Sequence, residues 1–148
     1  MARRIDISVL GDEALSKRLT ALPFKVQRKL VSKSLRAAAK RAKQRIIHNL
    51  SGGIVQVRTG TLLRAFERAP IRVQSSSPRR RLRIGPEFPR REALGIRPDD
   101  KYYYPAAVEY GHGRVRARPF LREAVDKHET AEIARIASDI GRLIESEF

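Results

Sequence analysis

The sequence predicts an α+β fold: a small antiparallel sheet packed by a long helix in the N-terminal half and a second helix at the C-terminus. Three observations carry that expectation. Apolar residues recur at three- to four-residue steps across residues 23–50 and again after Pro119, the period of an amphipathic helix. Ile71-Arg72-Val73-Gln74 and Leu82-Arg83-Ile84-Gly85 alternate apolar with polar, the period of a strand. The chain has 148 residues, 41% of them hydrophobic. That suffices for one domain over 1–148, able to bury roughly 68–70% of its unfolded surface.

Ile5 to Leu10 alternates and stops at Gly11-Asp12, which reads as a strand followed by a helix start with Asp12 as N-cap. Leu15, Leu19 and Leu22 give two helical turns before Pro23. In the long helix, Phe24, Val31, Leu35, Ala38, Ala42 and Ile46 form the apolar face, and Lys25, Lys29, Lys33, Arg36, Lys40 and Lys43 the opposite, basic one. Asn49 and Ser51-Gly52-Gly53 end it. Ile54 to Arg58 reads as extended, and Thr59-Gly60-Thr61 supplies hydroxyls to cap a short helix, Leu62 to Glu67.

The two alternating segments form a hairpin with a basic tip spanning 75–83, and the Pro- and Arg-bearing residues 86–101 form an irregular loop. Tyr102 to Tyr110 is rich in strand formers and predicts a second long strand, closed at Gly111-His112-Gly113. Pro119 opens the last helix, whose stripe is Ile133, Ala137, Ile140 and Ile144. Leu121 and Val125 fall off that stripe, which predicts a bend near Lys127 to Thr130.

Charge and composition exclude several function classes. There are 32 Lys+Arg against 16 Asp+Glu, a formal charge of +16. The excess is uneven: residues 14–66 hold thirteen bases and no acid, whereas residues 121–148 hold four bases and seven acids. Such asymmetry predicts a polyanionic partner or head-to-tail contact between copies. With no cysteine, disulfides, thiolate metal sites and thiol nucleophiles are excluded. The N-terminal residues lack the apolar stretch of a signal peptide, and the longest apolar run, Tyr102 to Val108, is too short to cross a bilayer, so a soluble protein without membrane contact is expected.

Catalytic chemistry finds little support. His48, His112 and His128 match no metal-ligand spacing and read as solvated or capping imidazoles. Asp99-Asp100 beside Lys101 reads as solvated rather than as a metal site. No phosphate loop, nucleophile elbow or aimed carboxylate pair occurs, so no enzyme, cofactor or metal is expected. The basic features read more strongly. Lys33, Arg36 and Lys40 on the long helix, and Arg79, Arg80, Arg81 and Arg83 on the hairpin, are candidates to contact DNA or a neighbouring subunit, and Tyr102-Tyr103-Tyr104 to stack bases or to pack a strand on a helix. Membrane-surface binding is weakened by an Ala-rich apolar face with one aromatic, Phe24.

Three motifs occur in order: Arg58-Thr59-Gly60-Thr61-Leu62, Val108-Glu109-Tyr110-Gly111 and Ala117-Arg118-Pro119-Phe120-Leu121-Arg122. Together they resemble the tailed-bacteriophage neck proteins, a family of head–tail connector or tail-completion components, from the long helix to the C-terminus. The resemblance implies an α+β structural protein of the virion, assembled in the bacterial host cytoplasm into a ring at the head–tail junction around the DNA channel. It further implies a hexamer whose partners are a portal-side connector or stopper protein, the tail tube or a tail terminator protein, and packaged DNA by non-specific contact. Arg58, Gly60, Glu109, Gly111, Arg118, Pro119 and Phe120 are the motif positions carried over as structural.

Physical readings of those positions agree with a scaffold. Pro119 presets a helical φ, Phe120 and Leu121 anchor the last helix on the sheet, and Gly111 and Gly113 allow a tight turn. Glu109 is expected to pair with Arg118 or Arg58. The loop 86–101 and the density of arginines in 79–83 depart from the family's pattern. The alternative reading is a free basic protein that grips nucleic acid through helix 23–50; a phosphodiester-cleaving enzyme using Asp99 or Asp100 ranks third.

Overall fold

The computed structural model describes residues 13–55, 60–76, 79–83, 104–114 and 116–146. The described chain runs α1 (Glu13–Thr20), α2 (Phe24–His48), α3 (Thr61–Arg68), β1 (Arg72–Ser76), β2 (Arg79–Arg83), α4 (Tyr104–Tyr110), α5 (Phe120–Val125) and α6 (Glu129–Ser146). The expected α+β architecture is overturned. The described residues are mostly helical, and no multi-stranded sheet underlies the helices. Strands among them are confined to the β1/β2 hairpin, with an isolated bridge at His112, and both apolar cores are built from helices and the turns beside them.

The second long strand is overturned as well, because Tyr104 to Tyr110 is helix α4. Its alanines and Glu109 favour a helix and Pro105 suits a first turn, whereas the strand preference of tyrosine needs a pleated neighbour that is absent from the described residues. The hairpin is tighter than its alternation suggested. The register runs from Arg72 opposite Arg83 to Ser76 opposite Arg79, so Arg79, Arg80, Arg81 and Arg83 belong to a strand rather than a tip. The strand at 5–10, the Asp12 cap, Arg58 and Thr59, loop 86–101 and Tyr102-Tyr103 lie outside the described residues.

The long helix starts after Pro23, whose φ of −55° and ψ of 138° place it in the extended region. It ends in a single wide turn, Asn49–Gly53, where Gly52 takes φ of 114°, a conformation that other residues avoid. Of the expected apolar face, Ala38 and Ile46 are buried and Val31 and Leu35 pack partly buried against the core, whereas Phe24 is 74% exposed; Leu30, Ser34 and Ala39 widen the covered band. Gly60 at φ of 68° occupies the N-cap of α3. The cap position thus falls on the glycine of Thr59-Gly60-Thr61, which brings no hydroxyl, and its left-handed conformation turns the chain into the helix.

Two cores share α2. Its N-terminal half, with α1 and α6, surrounds Leu22, Leu30, Ala38, Ile136, Ile140 and Ile144. Its C-terminal end, with α3 and α5, surrounds Ile46, Leu50, Leu62, Phe66, Phe120 and Ala124. The expected bend appears as a three-residue 3-10 turn, Asp126–His128, between α5 and α6. It lets α5 serve one core and α6 the other. Gly111 and Gly113, at φ of 79° and 56°, make the turn expected after Tyr110.

Candidate functional site

The three motifs converge on one structural unit. Leu62 of the first and Phe120 of the third are buried in the same core, where the rings of Phe66 and Phe120 meet edge to face at 5.7 Å, and Val108 of the second packs against it. Glu109 joins the second motif to the third. Its carboxylate, almost fully buried, accepts from the backbone N–H of Leu121 at 2.9 Å and of Arg122 at 3.1 Å, capping the start of α5 from a different helix. Arg122 closes the unit: Nε donates to Glu109 Oε1 at 3.0 Å, Nη2 donates to the Glu109 carbonyl at 2.9 Å, and the guanidinium lies 5.0 Å from the centre of the Tyr110 ring.

The expected partner of Glu109 is thereby corrected. Arg118 is exposed, and its backbone N–H donates to the carbonyl of Val108 at 2.7 Å. Held extended before Pro119, Arg118 points its backbone rather than its charge into the unit. Arg122, one helical turn further on, reaches the carboxylate. Phe120 anchors the helix on α3 and the end of α2 rather than on a sheet.

A second cluster ties α2 to α6. Arg41 donates to Glu132 through Nε and Nη2, the latter at 2.8 Å, and Arg45 Nη1 donates to the same carboxylate at 2.9 Å. Arg41 also lies 3.8 Å from Asp139. Burial opposes ionisation of Glu132, but the hydrogen bonds from Arg41 and Arg45 outweigh it and hold its pKa below the ordinary value. The same hydrogen bond to Glu132 raises Arg41 against the opposing cost of its own burial. Further along α6, Asp139 pairs with Arg142 and Glu145 lies 3.8 Å from Arg18 of α1. Glu132, Asp139 and Glu145 thus meet bases of the same chain. No such partner was named from the sequence, although Arg41 and Arg45 at i, i+4 and Glu132 and Asp139 at i, i+7 are signals that each pair shares a helix face.

The solvent-facing side of α2 is different, with Lys33 at its edge, lining the cleft that α2 makes with Asp139 and Arg142 of α6. Lys33, Arg36 and Lys40 are exposed and have no ion-pair partner among the described residues. Lys43, at the end of that stripe, is half-buried instead, donating from Nζ to the carbonyls of Glu67 at 2.8 Å and Ala69 at 2.6 Å. It closes the carboxyl end of α3 and fixes the root of the hairpin. His48, His112 and His128 are exposed and dispersed, and among the described residues no group of His, Asp and Glu is arranged to hold a metal. No helix of the described residues is long and apolar enough to cross a membrane. No protein-family model, curated protein or solved structure matches the chain.

Proposed function

We propose that the protein is a structural component of a tailed phage or phage-like particle, assembled as a ring at the head–tail junction between a portal-side connector or stopper and the tail tube or its terminator. The observation that carries this reading is the convergence of Leu62, Val108, Glu109, Phe120 and Arg122, all from the three motifs, on one buried unit. Residues that cap, pair and pack are what a scaffold requires, and the reading assigns no catalytic group and no cofactor. The experiment is sedimentation velocity with negative-stain microscopy of the purified chain across a concentration series. Closed rings are expected; a strictly monomeric species that is also absent from particles would overturn the proposal.

One observation favours a second reading, a free nucleic-acid-binding protein. Glu132, Asp139 and Glu145 are engaged within the chain, and Lys33, Arg36 and Lys40 are exposed with no ion-pair partner among the described residues. Tight duplex binding by a monomer, with no ring at any concentration, selects this reading over the first.

A further inference from the structure

We infer that the outer stripe of α2 and the β1/β2 hairpin form one continuous surface for the phosphate backbone of duplex nucleic acid. Their continuity rests on Lys43. It lies one turn beyond Lys40 on the same side of α2, and its ammonium holds the carbonyl of Ala69, three residues before β1 begins. Strand β2 touches α2. Lys33, Arg36 and Lys40 therefore lead along the helix to the hairpin root, and Arg79, Arg81 and Arg83 stand at alternate positions of β2.

Duplex phosphate suits this surface better than an acidic protein. From Lys25 to Lys40 the stripe extends about 22 Å at 1.5 Å per residue, a straight row matching the regular charge spacing of a duplex. A helix and a two-stranded ribbon are also the two elements that a major groove admits. A protein interface needs an apolar centre with aromatic anchors, and the row Lys33, Arg36, Lys40 offers none. On α6, Glu132, Asp139 and Glu145 already face Arg41, Arg45, Arg142 and Arg18 of their own chain, so α6 of a second copy offers Glu129 rather than a row of acids to match the stripe. The inference deepens the nucleic-acid side of the reading above and does not rest on ring formation.

The test is fluorescence anisotropy of the full chain with a labelled duplex of arbitrary sequence, between 50 and 200 mM salt. With about six phosphate contacts, the slope of log K against log[salt] is expected near −5. The triple variants Lys33→Gln/Arg36→Gln/Lys40→Gln and Arg79→Gln/Arg81→Gln/Arg83→Gln should each make that slope shallower by about 2.7. Arg135→Gln, an exposed arginine on α6, should leave it unchanged. Far-UV circular dichroism checks that each variant keeps its helices, and the α2 variant decides the matter if the hairpin variant does not fold. A wild-type slope near zero, an α2 variant that binds like wild type, or equal displacement by polyglutamate of matched charge would overturn the inference. Rings without duplex binding would sink this surface and leave the ring; duplex binding without rings would do the reverse.

Discussion

Glu109 and Arg122 hold each other at two points, side chain to side chain at 3.0 Å and guanidinium to backbone carbonyl at 2.9 Å. The carboxylate is buried and also serves two backbone donors of α5, so its removal strands three N–H groups at once. Glu109→Ala is expected to cost about 3 kcal/mol of stability, the scale for breaking a buried charged pair from one side. Arg122→Ala should cost less, because the two backbone donors keep their acceptor. Urea unfolding followed by circular dichroism measures both, and equal losses would contradict the ranking.

The Arg41–Glu132–Arg45 cluster makes stability depend on acid. Glu132 has a lower pKa in the folded chain than its ordinary value of 4.5. The unfolded chain therefore takes up the proton first as pH falls. The contribution is complete above about pH 4.5 and is lost as pH drops through the lowered folded value. Glu132→Gln should remove that part of the acid loss and lower stability at pH 7 by about 1–3 kcal/mol, since two part-buried guanidinium groups lose their anion. Thermal unfolding of both proteins between pH 3 and pH 7 checks the sign: the gap should narrow toward acid.

Phe120 is fully buried between α2, α3 and α5. Phe120→Ala should cost about 3–5 kcal/mol through lost burial and the cavity left beside Phe66. Phe120→Leu, which refills much of that volume, should cost appreciably less. Denaturant midpoints at constant m-value give the comparison.

Ser34 is 1% exposed, faces α6 from α2, and its hydroxyl has no hydrogen-bond partner among the described residues. An orphaned buried hydroxyl is destabilising, so Ser34→Ala should raise stability by about 1 kcal/mol or leave it unchanged. Calorimetric Tm values decide it, and a clear decrease would show that the hydroxyl is satisfied in solution.

The helical half of the fold was readable because its signal is local. Leu15 and Leu19, the run from Phe24 to Ile46 and the stripe through Ile140 and Ile144 each repeat at the helical period, and the displacement of Leu121 and Val125 located the break that the 3-10 turn makes. The misread half turned on context. Tyr104 to Tyr110 carries strand-forming side chains, yet Pro105, Ala106 and Ala107 build a helix once α5 is there to pack against. Leu30 and Ile136 escaped notice because a helix that contacts neighbours on two sides buries a band wider than one stripe. In the candidate unit, Glu109 and Phe120 were readable from the motifs. Arg122 as the partner was not, since which arginine reaches a carboxylate depends on the turn geometry of Gly111 to Pro119.

The sharing of α2 between two cores gives the molecule a mechanical character. Leu30 and Ala38 belong to one core, and Ile46 and the adjoining Leu50 to the other, with no interruption of the helix between Leu30 and Ile46. The return path is interrupted, because Asp126–His128 separates α5 from α6. One side of the protein is therefore a beam and the other a joint. The backbone hydrogen bonds of α2 span both cores without a break, and Arg45 straddles the joint, holding the Ala124 carbonyl on one side of it and Glu132 on the other.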